Sequence, residues 1–294
     1  MNHSSTYHNQ PPRLFSLYGK ALLPKPGQPG NGSPLPEVSA RLLGVATGGP
    51  RLDLYRRVCG FTRQRAIPPT WPHVLAFPLH LKVLTDPGIP FPLLGLVHLR
   101  NRIIQHRPIY QGENLDIEVS VGQAKKTEKG LEFELITQAS SAGSLIWEEN
   151  STTLFRQSDA EAGCGKNRKA PPELKVFNHS FDLQVPESTG RQYAAASGDR
   201  NPIHLYPLTA RLFGFPRAIA HGMWSKAKVL SLLQQQPEWT GGAFDVSCDF
   251  KKPLFLPGKV KLNWQSARAG LDYQLLNGAG TAPHLSGRVQ WLDG

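Results

Sequence analysis

Apolar and polar residues alternate in several short runs of this chain. Leu115-Asp-Ile-Glu-Val-Ser-Val121 and Leu131-Glu-Phe-Glu-Leu135 are two of them; Val260-Lys-Leu-Asn-Trp264 and Leu285-Ser-Gly-Arg-Val-Gln-Trp291 are two more. Successive side chains of a strand point to opposite faces, so these runs predict half-buried antiparallel strands. A different period appears from Met223 to Leu233, where Met223, Ala227 and Leu230 recur at helical spacing. That predicts a buried helix, stopped at Gln234-Gln235-Gln236-Pro237 because proline cannot continue it. Ser188 is placed to cap a further helix through Tyr193, and Gly198 to end it with a left-handed residue. Long helices set against antiparallel strands make an α+β layer arrangement.

The pattern occurs twice. Tyr55-Arg-Arg-Val-Cys-Gly60-Phe61 resembles Tyr193-Ala-Ala-Ala-Ser-Gly198-Asp199. Arg107-Pro108-Ile109-Tyr110 pairs with Lys252-Pro253-Leu254-Phe255, each soon followed by glycine (Gly112, Gly258). Gly130-Leu-Glu-Phe-Glu-Leu-Ile136 pairs with Gly270-Leu-Asp-Tyr-Gln-Leu-Leu276. The three offsets are nearly constant and the order is kept, which points to one ancestral unit used twice. Residues 158–172 are polar, contain Gly and Pro and show no periodicity. They read as a linker between an N-terminal unit, residues 1–157, and a C-terminal unit, residues 173–294.

Composition narrows the classes. A chain of 294 residues with six Trp and thirteen Phe holds enough apolar surface for one large or two ordinary domains. No apolar run is long enough to span a membrane. Cys59, Cys164 and Cys248 are odd in number and far apart, against a disulfide framework or a Cys-x-x-Cys zinc site. The stretch before Glu37 lacks acidic residues and carries Arg13, Lys20 and Lys25. A transit peptide is the alternative there, but sparse Arg and frequent Pro favour a cytoplasmic location. The net charge of +11 suits an anionic partner. Its cations are scattered, with no run of basic and aromatic residues to support nucleic acid.

The candidate chemistry lies between Tyr193 and Met223. Asp199 and His204 sit on a segment broken by Gly198 and Pro202, so both side chains can converge on a molecule as small as water. Histidine titrates nearest neutrality and suits general acid–base work. Ala220-His221-Gly222-Met223 opens the buried helix. The first N–H groups of a helix lack internal partners and carry its partial positive charge. At Gly222 no side chain blocks a ligand carbonyl from that N–H, an oxyanion device worth roughly 3–4 kcal/mol. These parts suit proton removal beside a carbonyl and addition of water to, or its loss from, the adjacent carbon pair. Ser197 lacks a nucleophile elbow and reads as a small helix-end residue. His98 reads as the counterpart of His221 in the first copy, in a structural role. Arg200 and Lys251-Lys252 read as solvated charge or as contacts to a phosphate or a carrier.

The run Tyr-x-x-x-Ser-Gly-Asp-x-Asn-Pro-Ile-His (193–204), followed by Ile-Ala-His-Gly-Met (219–223), resembles the MaoC-like (R)-specific enoyl-thioester hydratases and 3-hydroxyacyl-thioester dehydratases. The likeness is strongest over 185–235 and weaker, as a degenerate copy, over 50–155. It implies a double hot dog, two antiparallel sheets each wrapped around a long central helix, with the catalytic unit at residues 173–294. It implies Asp199 and His204 as the dyad that holds and activates water, and the Gly222 N–H as the group that polarises the thioester carbonyl. Asn201, His221 and Arg200 then brace the loop or touch substrate. No metal or redox cofactor is implied, and the substrate carrier is CoA or acyl carrier protein, both anionic. The first copy has Cys59-Gly60-Phe61 in place of Ser197-Gly198-Asp199, which implies a catalytically silent half giving room for the acyl chain. The chain departs from the family at Leu205 and Tyr206, where an acidic residue often follows the histidine. The expected assembly is a monomeric pseudo-dimer or a homodimer. The competing readings are a hot-dog thioesterase and a non-catalytic acyl-thioester binder.

Overall fold

In a computed structural model of the chain, residues 3–21, 25, 35–93, 95–156 and 175–292 are described. The linker expected at 158–172 lies outside these residues. The first half holds β1 (His3–His8), α1 (Leu14–Ala21), β2 (Val38–Ala46), α2 (Pro50–Cys59) and α3 (Trp71–Leu84). It continues with β3 (Val97–Gln105), β4 (Asn114–Thr127), β5 (Gly130–Ser141) and β6 (Ser144–Arg156). The second half holds β7 (His179–Val185), α4 (Thr189–Ser197), α5 (Pro207–Arg211) and α6 (Gly222–Leu233). It ends with β8 (Phe244–Phe250), β9 (Gly258–Ala267), β10 (Gly270–Asn277) and β11 (Pro283–Trp291).

The strands form one 11-stranded sheet in the order β1-β2-β4-β5-β6-β3-β8-β11-β10-β9-β7. Read outward from the β3–β8 seam, each half shows the same succession. β6, β5, β4 and β2 on one side answer β11, β10, β9 and β7 on the other. The two expected sheets therefore join edge to edge, Arg100 opposite Asp249 and Ile103 opposite Val246. Pairing there satisfies two strand edges that would otherwise be bare.

The repeat seen in the sequence is a repeat of structure. Helices α2 and α4 both end in a left-handed glycine, Gly60 at φ 84° and Gly198 at φ 85°. Single bridges join Ala66 to Tyr110 and Ile219 to Phe255 at matching places. Helices α3 and α6 are the two central helices and bury residues on nearly every side, among them Val74, Leu79, Ala227 and Leu230. A helix buried on nearly every side has to be enclosed; α3, for one, packs on β2, β4 and β5. Ser188 stands at the N-cap of α4 but makes no side-chain cap bond. Its φ of −66° and ψ of −14° are already helical, and the capping bond requires an extended residue there.

The first residues extend the repeat. β1 runs parallel to β2 at the outer edge of the sheet, with α1 as the crossover that parallel pairing demands. α1 packs on α3 and buries Leu17 and Ala21. No described helix is long and apolar enough to cross a membrane.

Candidate active site

The site grows from the end of α4. Gly198 turns the chain left-handed, its N–H donating to the Ala194 carbonyl at 2.9 Å. The last carbonyls of α4 are met by Arg51 from α2, whose Nε donates to Ala196 O at 2.8 Å and whose guanidinium donates to Ser197 O at 2.6 Å. A cation is favoured at that end of a helix. From α1, the Tyr18 hydroxyl donates to Gly198 O at 2.8 Å and accepts the Arg200 N–H at 2.7 Å. The degenerate half thus clamps the loop on both sides of Asp199.

Within the loop, the Asp199 N–H donates to Ser197 Oγ at 3.1 Å, and Asp199 Oδ1 accepts the Asn201 N–H at 3.1 Å. Asn201 Oδ1 accepts from Ile203 and opens a single 3-10 turn, Pro202–His204. Asn201 therefore shapes the backbone, and Ser197 is a buried loop brace. Arg200 is exposed, and its backbone rather than its guanidinium is what the fold holds.

His204 is buried and donates from Nδ1 to the Ile219 carbonyl at 2.8 Å. A carbonyl only accepts, so in the neutral ring the lone pair lies on Nε2. His221 donates from Nε2 to the Asp199 carbonyl at 3.0 Å, leaving its buried Nδ1 with no partner among the described residues. The two imidazoles stack with centroids 3.7 Å apart, and Tyr193 covers His221 at 4.7 Å. Burial lowers the pKa of both rings; that of His221, next to His204, falls to about 3. Both are therefore neutral bases at neutral pH. Asp199 keeps 30% of its side chain exposed. Ligand-type atoms of Asp199, His204 and His221 all lie within 4.8 Å of one another. The acid and the imidazole face one small volume, as their spacing predicted.

Gly222 is the first residue of α6, and its N–H has no acceptor among the described residues. A Cβ at this position would stand 3.0 Å from the ring of Phe250. Phe250 on β8 thus packs against Gly222 on the side a Cβ would occupy, a neighbour the sequence did not suggest. Nor did it suggest Tyr18 and Arg51, which come from the other half.

At the corresponding place in the first half, α3 begins after Thr70, so Thr70 and not His98 matches His221. His98 lies on β3 and packs on Phe250 at 4.8 Å. Beside Phe61, a cleft walled by both halves is lined by Phe61, Ile67, Pro68, Gln105 and Trp239, with no acid or imidazole among its described lining residues. Metal-ligand spacing occurs twice among the described residues, at Asp199/His204/His221 and at His73/His80/Glu149. In the first group one nitrogen of each histidine is spent on a carbonyl. In the second, Glu149 is already bonded to His73 and Asn101.

Residues 162–281, which contain the whole loop and Gly222, match the model of the MaoC like domain. The 3-hydroxyacyl-thioester dehydratase X of Mycobacterium tuberculosis is 33% identical over 241 residues, 81% of this chain and 84% of that protein. The chain belongs to the MaoC-like family. The solved structure of the M. tuberculosis protein HtdX superposes on this MaoC-like chain with a TM-score of 0.74 at 30% identity, covering 86% of this chain and 100% of HtdX. The (R)-specific enoyl-CoA hydratase of Aeromonas caviae is 39% identical over 69 residues, 23% of this chain and 52% of that enzyme. The double hot dog is thus the fold of a relative across nearly the whole chain.

Proposed function

We propose that this MaoC-like chain is a hydro-lyase that interconverts 2-enoyl and (R)-3-hydroxyacyl thioesters. The convergence of Asp199 and neutral His204 beside the unpartnered Gly222 N–H carries the reading. The thioester oxygen sits at that N–H, where negative charge gathers as the enolate forms. A water held between the Asp199 carboxylate and His204 Nε2 gives its oxygen to C3. The proton it loses is taken up by the pair and returned to C2. One molecule of water is added and nothing is oxidised. Acid and base lie on the same side of the substrate, so addition is to a single face. The names of the M. tuberculosis and A. caviae relatives support the same reaction.

The first half is the non-catalytic partner, with Phe61 where Asp199 stands. The carrier is CoA or an acyl carrier protein: no acidic residue falls between Asp199 and Glu238, and both carriers are anionic. One chain supplies both hot-dog units, and light scattering will show whether it works as a monomer or a homodimer. The test is loss of the conjugated-enoyl absorbance of a trans-2-enoyl-CoA. Asp199→Asn and His204→Ala are each expected to lower kcat at least about a hundredfold. Parental activity in both variants would overturn the roles. Release of thiol with the double bond intact would mean a thioesterase.

A further inference from the structure

Lys226 is fully buried in α6, four residues after Gly222. Its ammonium donates to the side-chain and backbone oxygens of Asn101 on β3 and to Val246 O on β8. All three donors of the ammonium are engaged. Asn101 Nδ2 donates onward to Glu149 Oε1 on β6 at 2.6 Å and to Ser151 Oγ at 2.9 Å. Glu149 is buried and also bonded to His73 Nδ1 on α3 at 2.9 Å. The chain of contacts runs from the oxyanion helix of the second half into the centre of the first.

Two opposite charges buried in a core, here bridged by Asn101, are costly to desolvate, and apolar side chains of the same volume often hold a fold as well. The position of this pair suggests what the charge is for. Residues four apart share a helix face, and helical side chains lean toward the N-terminus. Lys226 therefore rises from the face that carries Gly222, its Cα about 6 Å along the axis from that of Gly222. Its charge has the same sign as the helix dipole at that end. We propose, on the functional reading above, that Lys226 is a positioning residue of the reaction. Anchored by Asn101 and balanced by Glu149, it fixes the start of α6 and strengthens the field that the Gly222 N–H presents to the thioester oxygen.

Removing one charge strands the other, so Lys226→Met alone confounds stability with catalysis. The decisive variant is Lys226→Met/Glu149→Gln, which removes both. Its thermal midpoint is expected near that of the parent and its KM within about twofold, with kcat lower by about tenfold. Parental kcat in a folded double variant overturns the proposal. A second measurement needs no variant. Burial pulls the Lys226 pKa down to about 8 against the opposing Glu149, Asp245 and Cys248, with His98 and His73 also facing the cluster. The parent's kcat is expected to decline above about pH 8, and a flat profile to pH 9.5 overturns the proposal even if the double variant does not fold. A parent without hydratase activity counts against the functional reading instead, so the two failures are separable.

Discussion

His204 and His221 lie ring on ring, centroids 3.7 Å apart and planes at 28°, each tied to a different backbone carbonyl. Protonating either would put a charge against its neighbour inside the core. The first prediction concerns pH. An unfolded histidine titrates near 6.5, whereas His221 in the fold is lowered to about 3 by burial and by His204. Below pH 6.5 the unfolded chain takes up a proton that the native chain refuses. The stability from this group is thus complete above pH 6.5 and is lost as pH falls toward 3. His80, lowered to about 3, and His98, lowered to about 4, act in the same direction. Urea midpoints between pH 4 and 7 should rise with pH, with a shallower slope in His221→Phe. Equal slopes would show that the ring is not buried neutral.

Tyr18 links the N-terminal helix to the Asp199 loop through one hydroxyl. Tyr18→Phe keeps the ring and removes both bonds, at a cost of about 1–2 kcal/mol in stability. Because those bonds flank Asp199, kcat should fall several-fold while KM changes less. Stopped-flow hydration with calorimetry on the same sample checks both. A stability loss with unchanged kcat would make Tyr18 a packing residue only.

Gly222→Ala tests the oxyanion role proposed for the Gly222 N–H. The new methyl meets the Phe250 ring at 3.0 Å, beside the N–H proposed to hold the thioester oxygen. We expect kcat/KM to fall at least about tenfold, the scale of a compromised oxyanion donor. Gly222→Ala/Phe250→Leu should not recover the loss. Full recovery would place the whole effect in the aromatic ring.

Much of the fold was legible because it rests on local rules. Alternation marked β4, β5, β9 and β11, and glycine's tolerance of left-handed backbone marked the ends of α2 and α4 together with the repeat. Asp199 and His204 were legible because a single loop holds both. The β3–β8 seam was not, since strand pairing is made by backbone groups that leave no side-chain signature. Tyr18 and Arg51 were missed for a related reason. Each acts on carbonyls far along the chain, and nothing near them in sequence announces that. Ser188 shows the converse, a favourable cap residue whose backbone conformation leaves its hydroxyl unused.

The placement of β1 and α1 bears on handling and processing. β1 shields the outer edge of β2, and Tyr18 holds the loop at Gly198 and Arg200. A chain shortened past Ala21 would bare a pairing-competent strand and unbrace Asp199 in one step. Proteolytic trimming there should yield material that self-associates and whose kcat falls at least as far as that of Tyr18→Phe.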